Sequence, residues 1–249
     1  MISRAVVLLT LHLLLISLSA SAAPPEGLVL YLPFDGDAKD SSGNENHAEI
    51  MGKESWVDGK FNQAMEFDGK THMEVQDKAD AIFDGVTGLT IEVWVSQKTH
   101  HDNGIVVKLT AAGQWWPCSY NLETWSDQLA YFGANQDTGQ WATGSYPLDE
   151  WFHFAGVFDN AEERTYVNGE LAGSVPDPSD TVADGELPVY IGCVAPGSMY
   201  FIGELDELAI YNRALTTEEI QADMNFGISM AVEGAGKLTT TWAGVKAQR

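Results

Sequence analysis

The chain has 249 residues, 45% of them hydrophobic, which is enough for one large domain with a full core. It carries 13 basic and 36 acidic side chains, a formal net charge of −23 at pH 7. This charge disfavours nucleic acid and anionic membrane surfaces as partners, and it is typical of an acidic, well-solvated surface.

The first 22 residues predict a secretory signal peptide. Arg4 supplies the positive charge, residues 5–18 form the apolar segment, and Ala20, Ser21 and Ala22 supply small residues for cleavage before Ala23. The apolar segment is too short for a membrane span, and no later apolar run is long enough to cross a bilayer. We therefore expect a secreted protein, extracellular or periplasmic.

Many short stretches of strand-like sequence follow, separated by turn residues. Residues 89–95 alternate between apolar and polar side chains, which favours a half-buried strand, and residues 151–158 are almost wholly apolar. Asn168 and Gly169 stand between two such stretches and predict a two-residue type I′ hairpin. This pattern predicts an all-β protein built as a two-sheet antiparallel sandwich.

The last strand-like stretch, residues 205–211, also has a period of two. Asp206, Leu208 and Ile210 are predicted to share its core face, which would bring a carboxylate to the edge of the core. A carboxylate there needs a cation, several N–H donors or a raised pKa.

A short helix is predicted directly after this strand. Thr216 and Glu219 have the spacing of a capping box, and Leu215 and Ile220 occupy the two positions of a hydrophobic staple.

The run GELDELAIYNRALTTEEI resembles the closing strand and helix of LamG-like (laminin G-like), concanavalin A-like jelly-roll domains. The runs LVLYLPFDG, KDSSGNENHAEI, FNQAMEFDG, LTIEVWV, WFHFAGVFD and TYVNGELAG resemble earlier parts of such domains in the same order. The resemblance implies a jelly-roll domain over residues 23–229 with a short C-terminal helix, followed by a tail of residues 230–249.

Three aspartates form a candidate metal site. Asp35 and Asp40 lie in the first polar loop, Asp206 begins the last strand, and the resemblance implies that the first and last strands are close together. Carboxylate and carbonyl oxygens suit Ca²⁺, so one structural Ca²⁺ is expected. The alternative is that these aspartates cap turns.

Two cysteines, Cys118 and Cys193, remain after the signal peptide. In an oxidising compartment they could form a disulfide bond, whereas free buried cysteines are also common. The sequence leaves both alternatives open.

Loop tryptophans form a candidate glycan site, because flat aromatic rings cover the apolar face of a sugar while amides bind its hydroxyls. Trp94 and Trp151 fit strand patterns and are expected in the core, and Trp125 fits either role. The residues expected to bind a glycan are Gln114, Trp115, Trp116, Asn135, Gln140 and Trp141.

These observations predict a secreted, non-catalytic binding module for extracellular or cell-surface glycans. The alternative is a structural or adhesive module that binds an extracellular protein. A degenerate glycoside hydrolase is the third hypothesis, because Glu204 and Asp206 match part of the pattern E-x-D-x-x-E. Ala209 occupies the position of the second glutamate, so a pair of catalytic carboxylates is not expected.

Overall fold

The computed structural model describes residues 24–77, 84–111, 118–135 and 141–228. Its elements, in chain order, are β1 (Leu28–Leu32), β2 (Ala48–Met51), β3 (Trp56–Asp58), β4 (Gln63–Asp68), β5 (His72–Val75), β6 (Leu89–Ser96), β7 (Asn103–Leu109), β8 (Cys118–Thr124), β9 (Leu129–Ala134), β10 (Ala142–Ser145), β11 (Trp151–Phe158), β12 (Glu162–Val167), β13 (Glu170–Pro176), β14 (Val189–Ile191), β15 (Ile202–Tyr211) and helix α1 (Thr217–Phe226). The predicted signal peptide and tail lie outside the described residues.

The strands form two antiparallel sheets, as predicted. The first sheet has the order β13-β12-β11-β6-β15-β4-β3, and β1 also pairs with β15. The second sheet has the order β10-β9-β8-β7-β14-β5-β2. The described part of the chain contains no helix that is long and apolar enough to cross a membrane.

The core lies between the two sheets and is filled by alternate residues of the strands. Val93 and Phe154 of the first sheet and Leu122 and Phe132 of the second are among its members. A Cβ atom at Gly156 would lie 2.1 Å from the ring of Phe132, so β11 can approach β9 only because this residue is glycine.

The middle of β15 departs from the predicted alternation. Its pairing with β6 shifts between Asp206 and Ala209, and Glu207 adopts a left-handed backbone with φ of 53°. This bulge adds one residue to the strand, so Leu205 joins Leu208 in the core. The prediction that Asp206 shares the core face of Leu208 was therefore wrong.

Two local predictions are confirmed. Asn168 and Gly169 both have positive φ, 52° and 74°, and connect the paired residues Val167 and Glu170 in a two-residue hairpin. The first and last strands are neighbours, because Leu28–Leu32 of β1 pairs with the second half of β15.

Helix α1 begins with the predicted capping box, in which Thr216 accepts a hydrogen bond from the Glu219 amide and the Glu219 side chain accepts one from Thr216. Ile220 is fully buried and packs with Ala155 and Tyr211 on the outer face of the first sheet. The outer face of the second sheet is covered in part by the segment 193–200, which packs against Val107 and Leu109, and the groove that follows is lined by both.

Candidate functional site

A groove of about 350 Å³ lies on the outer face of the second sheet. Because Tyr120 and Leu122 of β8 face the core, Asn121 and Glu123 face the groove. The lining residues are Asp102, Val107, Leu109, Cys118, Asn121, Glu123, Trp125, Trp141, Val194 and Met199. The groove therefore combines apolar walls with a few polar groups, as small-molecule sites generally do.

Three aromatic side chains form a packed cluster at one side of the groove. The ring centroid of Trp125 lies 4.8 Å from that of Tyr131 and 6.3 Å from that of Trp141. The Tyr131 hydroxyl donates a hydrogen bond to the Asp127 carboxylate at 2.7 Å. Since the rings support one another, the two tryptophans that line the groove are held in place before any ligand arrives.

The polar floor of the groove consists of Glu123 and Asn121. Glu123 is 6% exposed, and its Oε2 accepts a hydrogen bond from the indole N–H of Trp125 at 2.8 Å. Burial raises the pKa of Glu123, and hydrogen bonds with Asn121 and Trp125 oppose that rise. A carboxylate and an amide beside an indole can bind sugar hydroxyls while the ring covers apolar C–H groups.

Two of the predicted glycan-binding residues, Asn135 and Trp141, belong to the described part of the chain, and of these two Trp141 lies on the groove. Gln114, Trp115, Trp116 and Gln140 lie outside the described residues.

Asn135 has a structural role next to the groove strands. Its side-chain NH₂ donates to the Thr181 carbonyl at 2.8 Å, and its Oδ1 accepts from the Ala183 amide. The amide thus holds the 181–183 loop and is not part of the groove lining, so Asn135 as a ligand-binding residue stays a prediction.

The three aspartates of the predicted calcium site do not converge. The carboxylate of Asp40 accepts hydrogen bonds from the amides of Tyr31, Ser42 and Asn46 and from the Ser42 hydroxyl. Asp35 accepts from Asn62 and Gln63 instead. Asp40 therefore matches the alternative of a turn-capping carboxylate.

Asp206 lies at the β15 bulge with one oxygen unsatisfied. Its Oδ2 accepts a hydrogen bond from the Phe61 amide at 2.9 Å, whereas Oδ1 is buried without a hydrogen-bond partner. Burial raises the pKa of Asp206 to about 7. Among the described residues no group of three or more His, Cys, Asp or Glu side chains could hold a metal ion. A cation at Asp206 would need backbone oxygens as further ligands, and it stays a prediction.

Glu207 faces a second pocket, of about 290 Å³, next to the bulge. Its Oε2 accepts a hydrogen bond from the Tyr31 hydroxyl at 2.6 Å, and burial raises its pKa to about 7. The side chains of Asp35, Phe61 and Phe226 also line this pocket. The Tyr31 hydroxyl thus satisfies one oxygen of the Glu207 carboxylate within the protein. We therefore interpret Glu207 as a structural part of the bulge.

Cys118 and Cys193 are free and buried, so the disulfide alternative is not the one found. Cys118 pairs with Leu109 at one end of β7, whereas Cys193 packs against Gly104 at the other end and on the opposite side of that strand. Five residues of β7 span roughly 16 Å, and a disulfide needs Cα atoms within about 7 Å. The fold therefore keeps the thiols too far apart to react.

Comparison with known proteins agrees with this architecture. The Laminin_G_3 family model, described as the concanavalin A-like lectin/glucanases superfamily, matches residues 67–221, which is more than half of the chain. The chain belongs to the concanavalin A-like lectin/glucanases superfamily. The resemblance predicted from the sequence is thus confirmed. No curated protein sequence matches the chain.

Solved structures with the superfamily fold include domain 4 of AbnA, a GH43 extracellular arabinanase from Geobacillus stearothermophilus, in complex with arabinotriose. It is 22% identical, with a TM-score of 0.59, and the match covers 79% of this chain and 97% of that domain. The binding domain of Paraclostridial Mosquitocidal Protein 1 is 18% identical, with a TM-score of 0.64 and coverage of 80% and 52%. The binding domain of Botulinum Neurotoxin DC in complex with SialylT is 14% identical, with a TM-score of 0.61 and coverage of 80% and 51%. The chain thus spans about half of each toxin domain, and at these identities the likeness shows the fold alone.

Glu123, Asn121 and Asp102 were not predicted as binding residues from the sequence, and Trp125 fitted either a core or a binding role. A signal for three of them was present in YNLETW, residues 120–125, where Tyr120 and Leu122 alternate with Asn121, Glu123 and Trp125. A strand whose outward residues are an amide, a carboxylate and an indole has the composition of a binding face. Asp102 had no comparable signal, because it reaches the groove from a loop.

Proposed function

We propose that this chain is a non-catalytic module that binds glycans in the groove on the outer face of its second sheet. The observation that carries the proposal is the juxtaposition of Trp125 and Trp141 with the buried polar pair Glu123 and Asn121. Two structures of the same fold that hold arabinotriose and SialylT support it by analogy. Export rests on the first 22 residues alone and stays a prediction.

The other carboxylates support a binding role without turnover. Glu204 lies 3.6 Å from the Lys98 ammonium, and Asp206 accepts a backbone hydrogen bond at the bulge. Ala209, at the position where the hydrolase pattern has its second glutamate, is buried beneath α1. These three positions therefore do not present two carboxyl groups across an open cleft, which glycoside hydrolysis requires.

Binding to a glycan array, followed by calorimetry with the best oligosaccharide, tests the proposal. We expect dissociation constants of about a micromolar to a millimolar, because a shallow groove buries little area. Trp125→Ala should weaken binding about tenfold or more, since it removes an aromatic face and releases the Glu123 carboxylate. The same panel, incubated with the protein, should show no release of reducing ends.

Trp56→Ala is the matched control. The Trp56 indole N–H donates to the Glu54 carboxylate at 2.7 Å, which repeats the pairing of Trp125 with Glu123 on the edge of the other sheet. This variant should bind like the parent. If it weakens binding as much as Trp125→Ala does, or if Trp125→Ala has no effect, the ligand does not lie in this groove.

One edge strand favours a second candidate function, the binding of an extracellular protein. Strand β13 ends the first sheet, and Leu171 on it is 55% exposed. An exposed edge with an apolar side chain can add a strand from a partner. If no glycan on a broad array binds, this adhesive role becomes the better proposal.

A further inference from the structure

The charge of the groove limits which glycans it can take. Among its described lining residues the charged side chains are Asp102 and Glu123, and both are acidic. No lysine, arginine or histidine of the described chain belongs to the lining. An acidic ligand would therefore meet two carboxylates here and no compensating cation.

Both carboxylates are fixed in place. Glu123 is held by the Trp125 indole, and Asp102 Oδ1 accepts a hydrogen bond from the Ser126 amide at 2.8 Å. Neither can turn away from an incoming anion without giving up a hydrogen bond. For the buried Glu123 the unmade bond costs about 1–3 kcal/mol, whereas the exposed Asp102 loses less because water can replace its partner. The repulsion therefore belongs to the resting geometry of the groove.

Lys108, which lies on strand β7 of the groove, does not neutralise these two carboxylates. Lys108 lies between Val107 and Leu109 of β7, which line the groove, but its own side chain is fully buried on the other side. Its Nζ lies 2.7 Å from Asp77 and 3.3 Å from Asp84, and it donates to the carbonyl of Gly185. Lys108 is thus committed to two other aspartates.

We propose that the groove selects glycans that carry no acidic group and rejects sialylated or uronate-bearing ones. This inference rests on the proposed function. A neutral pyranose can donate its hydroxyls to Glu123 and Asp102, whereas a ligand carboxylate within a few ångströms of either is repelled. The formal net charge of −23 adds repulsion at longer range. The fold does not decide this preference, since a toxin domain of the same fold holds SialylT.

Matched pairs of oligosaccharides test the inference. The pairs are N-acetyllactosamine with its sialylated form, and trimethyl trigalacturonate with trigalacturonate, each measured by calorimetry and on an array of neutral and acidic glycans. We expect array signals from neutral glycans, and at least tenfold weaker binding of the acidic member of any pair that binds. Raising the salt concentration from about 0.05 to about 0.5 M should lower the ratio of neutral to acidic affinity, because salt screens the repulsion.

Asp102→Asn should lower the neutral-to-acidic ratio severalfold, because it removes one of the two fixed charges. Asp58→Asn is the matched control, since Asp58 is exposed on β3 of the other sheet and its removal changes the net charge equally. If Asp102→Asn leaves the neutral-to-acidic affinity ratio unchanged, or if both variants change it equally, the repulsion of acidic glycans does not come from the groove carboxylates. Acidic glycans that bind as tightly as their neutral partners would overturn the inference and leave the proposed function standing. If no saccharide binds at all, the proposed function fails and the inference fails with it.

Discussion

The outer faces of the two sheets are built by the same alternation of residues but are covered by different elements and to different extents. On the second sheet, Glu123 and Trp125 line the groove, and Glu123 is 6% exposed. On the first sheet, Glu92 of β6 occupies the corresponding outward position, yet it is 1% exposed because α1 lies over this face. A polar residue at an outward strand position therefore indicates a binding face only where the elements that cover the sheet leave a groove beside it.

The covered face has an arrangement of carboxyl groups that suits burial. Neither Glu92 oxygen has a hydrogen-bond partner when both carboxyls are ionised, and burial together with the nearby Asp223 carboxylate raises its pKa well above the ordinary value. A protonated Glu92 can donate to Asp223, which in turn accepts from the Tyr211 hydroxyl at 2.8 Å. One shared proton thus lets α1 lie over two carboxyl groups.

The largest expected difference between the faces is in stability. Ile220→Ala should lower the free energy of unfolding by about 2–5 kcal/mol, because Ile220 is fully buried beneath α1. Trp141→Ala in the open groove should lower it by about 1 kcal/mol or less, since its side chain is only half-buried. Urea unfolding followed by circular dichroism measures both. Equal unfolding midpoints for Ile220→Ala and the parent would mean that α1 does not cover this face in solution.

The next effect is a loss of stability with rising pH, which begins near pH 4 and is still in progress between about pH 6.5 and 8. Burial raises the pKa of Asp206 and of Glu207 to about 7, and that of Glu92 well above its ordinary value, whereas the unfolded chain releases these protons near pH 4. The contribution of these groups to stability is therefore full below about pH 4, and it is lost progressively from there until the pH has passed the folded pKa. Burial lowers the pKa of His153 to about 3, so its contribution is lost only as the pH falls below about 6.5.

Glu92→Gln isolates the covered face in that measurement. A glutamine can donate to Asp223 at every pH. The decrease of the unfolding free energy with rising pH should therefore become less steep, by up to about 1.4 kcal/mol per pH unit. Glu218→Gln removes an exposed carboxylate from the same helix and should leave the slope unchanged. If the stability of the parent protein rises between pH 6.5 and 8, Glu92 and Asp223 do not share a proton.

The smallest expected effect concerns a cation at the bulge, where β15 carries Asp206 at the margin of the covered face. Ca²⁺ at ten times its dissociation constant should stabilise the fold by about 1.4 kcal/mol, a rise of a few degrees in the melting temperature. Asp206→Asn should abolish this rise. Asp40→Asn should still show it, measured against the melting temperature of the same variant without Ca²⁺, because Asp40 is occupied by protein donors. Identical melting curves in Ca²⁺ and EDTA would leave Asp206 as a structural carboxylate.

The sequence by itself determined the features that depend on neighbours along the chain. Asn168 and Gly169 produce their hairpin because only a few residue types tolerate positive φ, and Thr216 with Glu219 starts α1 through bonds to its own backbone. The alternation of apolar residues predicted two sheets, and the motif around GELDELAIYNRAL predicted the superfamily and the proximity of β1 and β15. In each case the deciding contacts lie within a few residues or within a recognisable run.

Only the tertiary structure decided which face stays open and what each polar group contacts. The bulge at Glu207 moved Asp206 off the core face, Asn135 was occupied by a loop about 46 residues away, and β7 kept Cys118 apart from Cys193. The groove likewise unites Asp102, Glu123 and Trp141 from three separate segments. Such contacts depend on strand order, register and the cover provided by α1, and these are set by the packing of the whole sandwich rather than by local propensity.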